Sequence, residues 1–82
     1  EENEIEKREM HLKQFVIKEE SPFLNTTIMD SGIRNEYHCL VVGVEKEYGH
    51  LLSPEAHMLL EDGDVVWVVG EKEHVYQLLN KK

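Results

Sequence analysis

The chain has 82 residues, 40% of them apolar, with 9 Lys or Arg against 17 Asp or Glu and a formal charge of −8. That suffices for one small core, and a domain near this size buries only about 60% of its unfolded surface, so a partner surface adds much to its stability. The acidic balance argues against nucleic acid and against an anionic membrane surface, the single Cys39 excludes an internal disulfide framework, and no run approaches the roughly 18 apolar residues of a transmembrane helix.

Residues 1–11 read as a charged linker. Glu1, Glu2, Glu4, Glu6 and Glu9 surround only Ile5 and Met10 as apolar residues, and Glu4 and Arg8 are spaced as an i,i+4 pair. The chain starts at Glu1 rather than Met and lacks a basic-then-apolar leader. The expectation is a piece of a longer chain whose membrane helices lie upstream of Glu1.

From His11 to Lys18, Phe15, Val16 and Ile17 are strong strand formers, which predicts a strand covered mainly on one side. Ser21-Pro22 ends it, because Pro22 cannot donate to a ladder. A short helix is predicted from Thr26 to Gly32, preceded by Asn25 as a candidate for a positive-φ turn. Next comes the longest apolar run, His38 to Glu45. Strict alternation puts Leu40, Val42 and Val44 on one face and Cys39, Val41 and Gly43 on the other, as in a central strand. Glu47-Tyr48-Gly49 is a turn, and His50-Leu51-Leu52 a return strand.

Glu55 to Leu60 reads as one helical turn that delivers Met58, Leu59 and Leu60 to the core. Glu61-Asp62-Gly63-Asp64 is a tight turn with solvated charges. Val65 to Val69 is the strongest strand signal, and Glu71 to Asn80 is a helix with Val75, Leu78 and Leu79 as its buried stripe. The predicted class is α+β: a mostly antiparallel sheet with helices packed on one face, in β-α-β-β-β-α order.

Catalytic and metal patterns are weak. No Gly-x-Ser-x-Gly elbow occurs, and the chain reads as a non-enzyme. Cys39 and His38 would diverge as strand neighbours, so Cys39 reads first as a core thiol. His11, His38, His50, His57 and His74 show no close-spaced ligand pair, so no metal site is expected. The five glycines never approach the Gly-x-Gly-x-x-Gly spacing of a dinucleotide fold, so no resident cofactor is expected.

Four stretches carry a resemblance to a known family: Ser21-Pro22-Phe23-Leu24-Asn25-Thr26-Thr27-Ile28, Ser31-Gly32-Ile33-Arg34-Asn35-Glu36-Tyr37, Leu40-Val41-Val42-Gly43-Val44-Glu45, and Leu60 to Gly70. In order and at these spacings they resemble the TrkA C-terminal domain, also called the RCK C-terminal domain, over residues 12–82. Asn25 stands where the family often has Gly. The opening His11-Leu12-Lys13-Gln14-Phe15-Val16 and the run from Tyr37 to Glu45 look most like the domain behind a Kef-type cation:proton antiporter.

The resemblance implies a cytoplasmic, homodimeric regulatory domain of an integral membrane protein that transports potassium or another monovalent cation. Its partner would be the transporter domain of the same parent chain, and no nucleic acid is expected. Some family members bind cyclic di-AMP at the dimer interface, which implies a small anionic effector and a site at Ile33 and Arg34, with His38, Cys39 and Pro54 as neighbours. Arg34 is the only Lys or Arg between Lys18 and Lys46. Two roles stay open for it: an ion pair with Asp30 or Glu36, or an anion clamp, since the guanidinium fork suits phosphate and carboxylate. A purely structural dimerisation module and an ACT-like small-molecule-binding domain are the alternative functions.

Overall fold

Strand propensity is concentrated in three runs rich in β-branched residues, and each becomes part of one sheet. The computed structural model describes residues 9–81, so the expected Glu4–Arg8 pair lies outside the described residues. The strands are β1 (Met10–Val16), β2 (Leu40–Lys46), β3 (Gly49–Leu52) and β4 (Val65–Glu71), followed by helix α1 (Lys72–Lys81). The sheet order is β1-β4-β2-β3 and every pairing is antiparallel. The class is therefore α+β, as the sequence predicts.

One face of the sheet is buried. Phe15 from β1, Val41 and Val44 from β2, and Val66 and Val68 from β4 meet Val75 and Leu78 of α1. Ile17, Phe23, Ile33, Cys39 and Leu60 from the connecting segments complete the core. The helix stripe is as expected, with Val75 and Leu78 buried and Leu79 packed against them.

Two local expectations are corrected. No helix forms at Glu55 to Leu60, where Leu59 is left 42% exposed, and none at Thr26 to Gly32. Instead the chain runs antiparallel to residues 56–60, with Asn25 N donating to Leu60 O (2.7 Å), Leu60 N to Thr26 O (2.8 Å) and Ile28 N to Met58 O (2.9 Å). The β-branched Thr26, Thr27 and Ile28 favour extended backbone, and side-chain hydroxyls compete for the helical bonds: Asp30 N donates to Thr27 Oγ1 and Ile33 N to Ser31 Oγ. Asn25 does take a positive φ, 62°.

The second correction is to strict alternation in β2. Val41 pairs with Val68, but Gly43 pairs with Trp67, so Val42 is an extra residue, a β-bulge. The bulge reverses the alternation. Val41 and Val44 face the core, while Leu40, Gly43 and Glu45 lie on the open face beside Val69, Trp67 and Val65. That open face exposes Leu12, Val16, Leu40 and Leu52.

Candidate functional site

Arg34 is placed by one tight coil. Gly32 takes φ 81°, and its carbonyl accepts from both Glu36 N (2.7 Å) and Tyr37 N (3.2 Å). His38 N then donates to Arg34 O (3.1 Å), and His38 takes φ 58°, a left-handed stop to the turn. The coil sends Ile33 inward, fully buried, and leaves Arg34 exposed.

Two cavities share Arg34 as a wall. The first, about 660 Å³, lies where β4 ends and β2 begins, and is lined by Arg34, His38, Cys39, Leu40, Glu71 and His74, among others. The second, about 510 Å³, is lined by Arg34, Asn35, Pro54, Ile28, Met29 and Leu40, with others. The residues expected from sequence thus divide between them: His38 and Cys39 on one side, Pro54 on the other. Ile33 lines neither.

Among the described residues Arg34 has no ion pair. The Glu36 side chain folds over Gly32 instead, with its Cδ 3.0 Å from where a Cβ would stand. A guanidinium without a carboxylate keeps its full donor set for a ligand.

Cys39 is a wall rather than a reactive group. It is buried, its thiol donates to Tyr37 O at 3.4 Å, and burial pushes its pKa up, away from the thiolate. The closely packed Gly70 makes room for it: a Cβ there would stand 3.1 Å from Cys39 Sγ and 3.3 Å from Val75 Cγ2.

His74 is a site residue that the sequence reading missed. Its ring centroid lies 5.1 Å from that of His38. The two are 36 positions apart, and only the docking of α1 at the end of β4 brings them together, so no local spacing announces the pair. Among the described residues no three His, Cys, Asp or Glu side chains cluster as metal ligands.

The acidic turn is not fully solvated. Asp64 is buried, accepting from Lys46 Nζ at 2.5 Å and from Glu61 N at 2.8 Å. A third, smaller groove of about 320 Å³ lies on the open sheet face, between Leu12, Trp67, Gly43 and Leu52. Trp67 Nε1 donates to Glu45 Oε2 there at 2.6 Å.

Comparison with known proteins shows what the chain is similar to. "Probable potassium channel protein 2" of Methanocaldococcus jannaschii is 26% identical over 72 residues, covering 88% of this chain and 21% of the relative's length. The chain is thus similar to about a fifth of that protein. Among solved structures, the RCK C domain of the potassium transport protein KtrA in complex with cyclic di-AMP matches with a TM-score of 0.79 at 19% identity, over 90% of this chain and 85% of that one. The RCK_C domain dimer of S. agalactiae BusR in complex with cyclic di-AMP matches at 0.76 and 20%, over 85% and 92%. BusR bound to its busAB-promotor DNA matches at 0.75 and 20%, over 85% of this chain and 34% of that one. These likenesses concern the fold. The model of the TrkA-C domain matches residues 12–82, and the chain belongs to that family.

Proposed function

We propose that this chain is the effector-sensing, dimerising regulatory domain of a monovalent-cation transport protein, and that Arg34 holds an anionic effector of nucleotide type. The observation that carries the reading is the exposed Arg34 guanidinium, unpaired among the described residues, standing as a wall between two cavities. KtrA and BusR, each similar in fold, bind cyclic di-AMP through their RCK C domains. The potassium channel relative favours the potassium-transport class. Within that class, the resemblance of the His11 to Val16 and Tyr37 to Glu45 stretches points to a Kef-type antiporter as the parent, with this domain on the cytoplasmic side. Among the described residues no helix is long and apolar enough to cross a membrane.

The role is sensing rather than catalysis. No contact with nucleic acid is proposed: the likeness to DNA-bound BusR spans 34% of that chain, and this chain carries a formal charge of −8.

Titration of cyclic di-AMP into the native chain and Arg34→Ala tests the site. The substitution is expected to cost about 1.5–3 kcal/mol of binding, the range for hydrogen bonds to charged groups. Melting without ligand should hardly change, because exposed substitutions stay within about 0.5 kcal/mol. Loss of stability with unchanged binding would reject the clamp, and a native chain indifferent to the ligand would favour a purely structural dimerisation module.

The dimer follows from the same reading and from the apolar open face with Leu12, Leu40 and Leu52 exposed. Sedimentation at tens of micromolar, roughly the scale of a micromolar interface, should show a homodimer. A monomer at that concentration would refute it.

A further inference from the structure

We propose that His38 and His74 make the Arg34 cleft a proton-linked anion subsite, so that an effector phosphate binds more tightly as the medium acidifies. The inference rests on the reading of Arg34 as an anion clamp and adds a regulation to it.

The two imidazoles and Arg34 line one cleft of about 660 Å³. The rings lie 5.1 Å apart, inclined at 51°, and among the described residues neither imidazole has a hydrogen-bond or ion-pair partner. Such a concentration of nitrogen donors stands out in a chain with 17 acidic residues against 9 basic ones.

The charged and titratable groups facing the pair are few. The coil from Gly32 supplies Arg34, β4 supplies Glu71, and Cys39 presents a buried thiol whose proton burial retains. Met10 of β1, Leu40 of β2 and Val69 of β4 add only apolar wall. Glu71 is engaged in an interaction of its own.

Imidazole is the side chain that changes charge between about pH 5 and pH 8. With the cleft empty, two imidazolium rings at 5.1 Å beside a guanidinium would repel one another. A phosphate in the cleft turns that repulsion into attraction to a shared counterion. Anion binding therefore draws protons onto the pair, and by linkage lower pH strengthens anion binding. The sign is fixed: acidification, which favours imidazolium over imidazole, favours the bound anion.

The test uses the 82-residue chain with two probes that do not themselves titrate near neutrality, cyclic di-AMP and inorganic sulfate. Affinity and proton uptake are measured by calorimetry, in buffers of different ionisation enthalpy, at about pH 6 and about pH 8. The variant is His38→Asn with His74→Gln, because Asn suits the left-handed backbone at position 38. The expected result is binding about tenfold tighter at the lower pH, with proton uptake. The double variant should keep the weaker affinity at both values and take up no proton.

Equal affinity at both pH values, or a pH dependence that survives in the double variant, overturns the inference and leaves the clamp standing. Proton-linked binding of sulfate without binding of cyclic di-AMP supports the inference and removes the nucleotide class of effector. No binding of either probe overturns both.

Discussion

Asp64→Ala is expected to remove about 3–5 kcal/mol of stability, the range for breaking a buried ion pair from one side. The cause is Lys46. Its side chain is only 4% exposed, and its ammonium donates to Asp64 Oδ2 (2.5 Å), Leu59 O (2.9 Å) and Glu61 Oε1 (3.1 Å). Glu61 is itself 57% exposed at the side chain, so solvent screens its attraction to the ammonium. Removing Asp64 would also orphan Glu61 N, which donates to the same carboxylate at 2.8 Å.

The cluster ties the end of β2 to the turn before β4, so the loss reaches the sheet. Urea unfolding at neutral pH should show a lower midpoint with an unchanged slope. A loss below about 1 kcal/mol would mean that the pair behaves as an ordinary surface contact. The same cluster has a pH signature. Burial alone lowers the Lys46 pKa, but hydrogen bonds and charge attraction from Asp64 and Glu61 outweigh it, and the net shift is upward. Its contribution is therefore present through neutrality and is lost only as pH rises past the ordinary lysine value, roughly 10.4, and through the raised one.

Ile33→Ala should cost about 2–5 kcal/mol, as for other large-to-small changes in a full core. Ile33 has no exposed surface and packs in the cluster with Phe23, Cys39 and Val75. Its carbonyl accepts from Cys39 N at 3.0 Å, so it also fixes the exit of the coil that carries Arg34. Any effect on ligand affinity should come through the position of Arg34, since Ile33 lines neither cavity. Chemical denaturation measures the first effect. Retained stability would show that the core can collapse around the missing methyls or that Ile33 is not enclosed.

The strands and the closing helix were legible because their signals are local. Val65 to Val69 needs no context to read as a strand, and Val75, Leu78 and Leu79 mark their own buried stripe. Arg34 stood out because few basic residues share its stretch of an acidic chain. The failures share a cause. Thr26 to Gly32 ends on a helix-stop glycine, yet Ile28 N and Met29 N donate to Met58 O and Ala56 O, and such distant pairing leaves no periodic trace. Asp64 looked like turn chemistry because its partner Lys46 lies 18 residues away. His74 sits on a helix whose own pattern is satisfied without it.

The extra residue at Val42 gives β2 two frames. Before it, Leu40 stands on the open side and lines both Arg34 cavities; after it, Glu45 reaches that side to hold the Trp67 indole. A strand without the insertion could keep either frame along its whole length but not both. The upstream frame, run on, would put Val44 in the open and Glu45 in the core. The downstream frame, run back, would turn Leu40 inward and Val41 outward. One residue thus lets a single strand line the Arg34 cleft at one end and an aromatic groove at the other, while the sheet between them keeps its core.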